Sequence, residues 1–133
     1  MAGTVTQLMT KPTPAQVVVK FDWLAAAGGT LSAASTTANV DKEIRGLYCV
    51  CAITDPGATT KPTNNYDIAI NDSFGCDIFG GELNNRASGS TEQTTPRVGN
   101  AYMARPIFTG LSVALTGNSV ASASGALYVV FME

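Results

Sequence analysis

The sequence predicts an all-β chain folded as a jelly-roll-like β-sandwich of about eight strands, and three observations carry that prediction. Two short apolar-alternating runs, Asn65 to Asn71 and Cys76 to Phe79, flank Asp72-Ser73-Phe74-Gly75 and together read as a β-hairpin. Tyr66, Ile68 and Ile70 fall on one face of an extended strand, with Asp67, Ala69 and Asn71 on the other. Runs of the same period recur at short spacing along the chain, separated by Gly, Pro, Asn and Asp. No segment sustains a helical repeat, since Ala25, Ala26 and Ala27 before Gly28 and Gly29 are too few for a stable helix. Many short strands without helices point to a sandwich or a barrel.

Residues 1–15 hold Thr4, Thr6, Thr10 and Thr13 with Pro12 and Pro14, a pattern that favours an extended path. They read as an N-terminal arm whose Val5, Leu8 and Met9 are exposed in a monomer and buried against a partner, or else as a frayed terminus. Residues 16–133 form one sandwich domain. Gln16 to Leu24 is a strand with Val17, Val19, Phe21 and Trp23 set against Val18, Lys20 and Asp22, and Ala25 to Gly29 turns it. Thr30 to Thr37 is a small-residue edge strand. Lys42 to Thr54 is the longest strand, with Leu47, Cys49, Cys51 and Ile53 on one face and Tyr48, Val50 and Ala52 on the other. Apolar residues on both faces place it centrally. Asp55-Pro56-Gly57 closes it, and Ala58 to Asn64 is a loop.

After the hairpin, Gly80 to Asn100 is a long polar loop interrupted by a short strand near Arg97 to Met103. Loops of that length in a compact domain are functional or mobile. Ile107 to Thr116 alternates again, Gly125 to Met132 is the last strand, and the two are expected to pair as a terminal hairpin.

At 133 residues the chain is long enough to bury roughly two-thirds of its unfolded surface, so a core forms without staples. It is 45% hydrophobic and only 14% charged, against about 25% charged in a typical domain, leaving Ser, Thr, Asn and Gly to supply the polar surface. Low charge weakens repulsion between copies and favours an oligomeric or lattice-bound life. A net charge of −2 with scattered Lys and Arg gives no footprint for nucleic acid. No apolar run reaches membrane-helix length and the start lacks the regions of a signal peptide, so no membrane partner and no secretion are expected.

An enzymatic site is not expected either. Histidine, the usual proton carrier near neutral pH, is absent. Asp67, Asp72 and Asp77 read as turn and surface residues, because nothing in their spacing forces the separation that a glycosidase pair requires. Asn71, Asp72 and Asp77 match no EF-hand loop. Cys49, Cys51 and Cys76 read as free thiols without the paired spacing of a zinc site, and no cofactor is expected. Trp23 and Tyr66 are in phase with apolar faces and belong to the core, whereas Phe74 at a turn tip has no local reason to be apolar. It marks an interface if exposed, or folds back over the hairpin.

Asn65-Tyr66-Asp67-Ile68-Ala69-Ile70-Asn71-Asp72, then Gly75-x-Asp77-Ile78, Gly80-Gly81 and Asn85-Arg86, then Arg105-Pro106-Ile107 and a Gly-led last strand, resemble small structural proteins of tailed-bacteriophage virions. The resemblance spans residues 17 to 132 and implies a capsid cement or decoration protein. Such a protein is a trimer on the capsid exterior, assembled in the host cytoplasm and bound to the major capsid protein. It implies interfaces and no catalytic residues. Candidate contacts are Val5, Leu8 and Met9 on the arm, Phe74 on the tip, and Asn84, Asn85, Arg86, Glu92 and Arg97 in the long loop. The alternatives are another virion part, such as a tail or head-fibre component, and a carbohydrate-binding module with an exposed aromatic groove.

Overall fold

Period-two burial builds the molecule, in a computed structural model that describes residues 3–133. Strand β2 (Gln16–Leu24) buries Val17, Val19, Phe21 and Trp23, as its alternation predicts. Its neighbours are the edge strand β1 (Thr4–Thr10) and the long β11 (Ser124–Met132), which itself pairs with β4 (Tyr48–Pro56), followed by the short β6 (Glu92–Thr94). Two-residue β9 (Arg105–Pro106) extends the same side of β4. A second sheet has the order β3 (Leu31–Ser35), β10 (Ser112–Thr116), β5 (Asp67–Asn71), and every pairing in both sheets is antiparallel. Inward residues of the two sheets form one core around Phe21, Ile68, Ile70, Leu115, Leu127 and Phe131.

From β2 to β6 successive strands alternate between the sheets, and β10 and β11 resume the alternation, which is the path of a jelly roll. The fold is therefore the expected all-β sandwich. The place beside β5, where an eight-stranded jelly roll has a fourth strand, is filled by irregular chain. Ile78 N donates to Ile70 O at 2.9 Å, Ile68 N to Leu83 O at 3.0 Å, and Arg86 N to Tyr66 O at 2.7 Å, so this edge is capped without a regular strand.

Several local expectations need correction. The sequence reads as about eight strands, whereas the described residues form eleven, because the expected arm is itself a strand and β6, β9 and the hairpin β7 (Arg97–Val98) with β8 (Ala101–Tyr102) are only two or three residues long. That hairpin is the interruption expected near Arg97. The segment expected as an arm is instead β1, paired with β2 in continuous register from Thr4–Leu24 to Thr10–Val18. It stays on its own sheet because Val5 and Met9 pack against the core. Gln7 Nε2 also donates to Ser35 O at 2.8 Å while Gln7 Oε1 accepts from Thr37 N at 3.0 Å, tying the edge to the other sheet.

The strand expected from Lys42 begins only at Tyr48, because helix α1 (Ala38–Ile44) precedes it. Thr37 caps the helix, with its side chain accepting from Val40 N at 3.4 Å, and Val40 and Ile44, four apart, bury one face. The expected faces of β4 also change midway. Phe131 pairs with Cys49 but Val130 pairs with Cys51, so Val50 is an extra residue in a bulge. Beyond it Ala52 and Thr54 face inward, while Cys51 and Ile53 face out.

The hairpin expected from Asn65 to Phe79 survives as a turn. Gly75 has φ +80 and its N–H donates to Asp72 O at 3.1 Å, but the return run makes only the Asn71–Asp77 bridge, while β5 finds its ladder partner in β10. The terminal hairpin does not form. β10 and β11 lie in different sheets, because β11 is apolar enough to sit between β2 and β4 at the centre of the large one.

Candidate functional site

Two loops meet at one end of the sandwich. Asp72 shapes the first, its Oδ1 accepting from Phe74 N at 2.9 Å and Cys76 N at 3.0 Å, and this turn holds Phe74 outward at 76% exposure. The second loop runs from β9 to β10 and presents Phe108 at 70% exposure, between buried Ile107 and half-buried Thr109. Ser73 N donates to Thr109 Oγ1 at 3.1 Å, which joins the two aromatic-bearing loops. Beside them lies a polar groove of about 440 Å³ containing Thr36, Asp41, Arg45, Asn71 and Asp72. Its carboxylates are already engaged, Asp41 by the Thr36 hydroxyl and by Arg45 at 3.8 Å, and Asp72 by the turn amides. Gly110 forms part of its wall, where a Cβ would stand 2.7 Å from the Asp41 carboxylate and displace it.

Asp77 and Asp67, the latter at the start of β5, are staples of the same kind. Asp77 accepts from Phe79 N at 3.0 Å and Gly81 N at 2.9 Å, and Asp67 accepts from Asn85 N at 2.8 Å. Each carboxylate therefore holds backbone, the role the sequence suggests. A further apolar group lies on the β7–β8 hairpin, where Tyr102 is 63% exposed and Val98 and Met103 are also exposed. The Tyr102 hydroxyl donates to Glu82 Oε2 at 3.4 Å, and Glu82 also pairs with Arg97 at 3.2 Å.

The candidate contact residues divide accordingly. Phe74 and Leu8, the latter 57% exposed, are open to a partner, and Asn84 and Asn85 are exposed in a turn. Val5 and Met9 are half-buried against the core and serve the chain's own fold, contrary to the arm expectation. Arg86 and Glu92 brace the long loop: they lie 3.8 Å apart, and Glu92 Oε1 accepts from Ala87 N at 2.7 Å. Arg97 is taken up by Glu82. Phe108 is the residue that sequence reading passes over. Its signal is parity, since Ile107 and Thr109 facing inward leave Phe108 outward.

Trp23 and Tyr66 pack against each other in the core, their rings tilted at 52° with centroids 5.9 Å apart, so neither serves as a surface platform. The thiols are free: Cys49 is buried, Cys51 half-buried and Cys76 exposed, and burial pushes the first two upward in pKa. Among the described residues no group of three or more His, Cys, Asp or Glu is placed to hold a metal ion, and no helix is long and apolar enough to cross a membrane.

No protein-family model matches the chain, and no curated protein matches it. Among solved structures the chain is similar to a cupin domain from Bordetella pertussis Tohama I, with a TM-score of 0.36 and 11% identity over 100% of this chain and 98% of that one.

Proposed function

We propose that this chain is a non-enzymatic structural protein of a bacteriophage virion, a cement or decoration protein that binds the major capsid protein on the shell exterior. The observation that carries the proposal is the pair of adjacent loops that hold Phe74 and Phe108 outward. A large aromatic left in water forgoes about 1.5–3 kcal/mol of burial, and exposed aromatic rings are the ordinary anchor of an interface. Two further features support the reading. The surface is poor in charge, which suits close packing on a crowded lattice, and the resemblance of residues 17 to 132 to small virion proteins points the same way. On a shell, many modest contacts act together, so each copy needs only weak intrinsic affinity.

The test is assembly of particles without the chain, followed by re-addition of the purified protein. Shells lacking it should fail at lower temperature and under milder osmotic shock, and re-addition should restore resistance. Phe74→Ser and Phe108→Ser should each weaken shell binding about 10-fold to 100-fold, the range expected for loss of an aromatic anchor. Shells that are equally resistant and carry none of the protein defeat the cement reading. Labelled protein at a single vertex or along a tail would place it in another part of the virion.

A further inference from the structure

The large sheet turns one face to solvent, and that face has the composition of a covered surface. An antiparallel sheet with one wet side alternates apolar inward and polar outward. Here β11 and β4 carry apolar residues on both sides, and β2 adds Val18 to the outward face beside Lys20 and Asp22. The strand registers align Val18, Val130 and Cys51 in one outward row and place Tyr128 beside Ile53 in the next. All five are half-buried, and among the described residues no helix or strand forms a packed layer over them. Apart from Lys20, which pairs with Tyr128, the polar neighbours of these rows lie around them: Thr10 pairs with Val18 at one margin, Gln93 with Ile53 at the other, and Asp22 and Asp55 flank Ala126 toward one end. Lys20 turns its ammonium to Asp22 at 3.2 Å and over the Tyr128 ring at 5.7 Å, so the one cation of these rows is already matched.

We infer that a second copy of this chain covers this face, sheet against sheet across a two-fold axis. A dry centre inside a polar rim is the anatomy of a subunit interface. The size fits as well: five strands at about 4.8 Å spacing and about 25 Å of strand length offer roughly 600 Å² per copy, or about 1,200 Å² for two, where specific interfaces begin. A two-fold contact requires a patch complementary to itself. A pleated face whose central rows are mainly apolar, and whose Lys20 is matched within the copy by Asp22, meets that requirement, because twisted sheets of this kind stack at about 10 Å with a small crossing angle. A net charge of only −2 per copy adds little repulsion. The two-fold pairing needs no shell, so it stands or falls independently of the cement proposal, and it differs from the trimer that the resemblance implies.

Cys51 supplies a probe inside the interface and Cys76 a reference outside it. The full chain at micromolar concentrations should be a dimer by light scattering, and Val130→Glu should be a monomer that keeps its β-sheet circular dichroism, because Val130 lies outside the core. In the wild-type dimer, alkylation of Cys51 by iodoacetamide should be slowed about tenfold or more relative to Val130→Glu, a change of about 1.4 kcal/mol in access, while Cys76 reacts equally in both. Ile53→Lys should reproduce the effect, and dilution of the wild-type chain should speed Cys51 without any substitution, which keeps the inference testable if one variant fails to fold. A wild-type monomer, a trimer, an oligomer that Val130→Glu leaves intact, or a Cys51 rate indifferent to dilution would each overturn it.

Discussion

Tyr66 is a core residue with an unmet polar end. Its ring is fully buried against Trp23, and its hydroxyl, the Trp23 indole N–H and the Thr54 hydroxyl are all buried without a hydrogen-bond partner. Burial pushes the Tyr66 pKa up to about 12; Thr54 lies near enough to oppose part of that rise, although the two hydroxyls do not meet bonding geometry. Because the folded value lies above the ordinary value of 10, Tyr66 ionises more readily in the unfolded chain. Stability is therefore intact below pH 10 and is lost as pH rises toward 12. Tyr66→Phe should blunt that alkaline loss in a pH series of thermal denaturation. At neutral pH it should be neutral or stabilising by about 1 kcal/mol, since it removes a buried hydroxyl that bonds to nothing. Asp77→Ala should act oppositely, costing about 1–3 kcal/mol through two orphaned turn amides, as read by urea denaturation.

At the scale of elements, β1 and β11 show how a strand's neighbours decide its value. β1 lies at the sheet edge, and Gln7 pins it to the end of β3 and to α1's cap. Gln7→Ala should loosen this edge, with faster hydrogen exchange in residues 4–10 and a global loss of about 1–2 kcal/mol, while β4 and β11 remain protected. On β11, Gly125 passes over Trp23 so closely that a Cβ would stand 2.5 Å from Cζ2 of the ring. Gly125→Ala should therefore overpack the core and cost about 1–3 kcal/mol in chemical denaturation. β2 was legible because its alternation is unbroken, and β3 because small hydroxyl-rich residues suit an edge. The helix α1 was not, since two turns with one apolar pair, Val40 and Ile44, carry too little periodicity to compete with the strand that follows. The β4 bulge left no local mark either: Val50 fits equally well on either side of a strand, and only pairing with β11 makes it the extra residue.

For the whole molecule, the three thiols report the layers of the sandwich. Cys76 on the loop end should react first with a maleimide, Cys51 on the outer face more slowly, and Cys49 only on unfolding, as followed by mass spectrometry under native conditions. The sequence by itself determined the all-β class, the inward residues of β2 and β5, and the Asp72–Gly75 turn, while it left Phe74 open between display and folding back over the hairpin. Each of these follows from period-two sterics or from backbone geometry within a few residues. Only the tertiary structure decided that residues 4–10 stay on their own sheet, that β10 and β11 part to opposite sheets, that Phe74 is held outward, and that its loop is tied to the one bearing Phe108. The same is true of the apolar rows on the outer face, because Val18, Val130 and Cys51 lie far apart along the chain and become neighbours only when strand order and register are set. Those are long-range choices governed by which apolar faces can be buried together, and no local pattern encodes them.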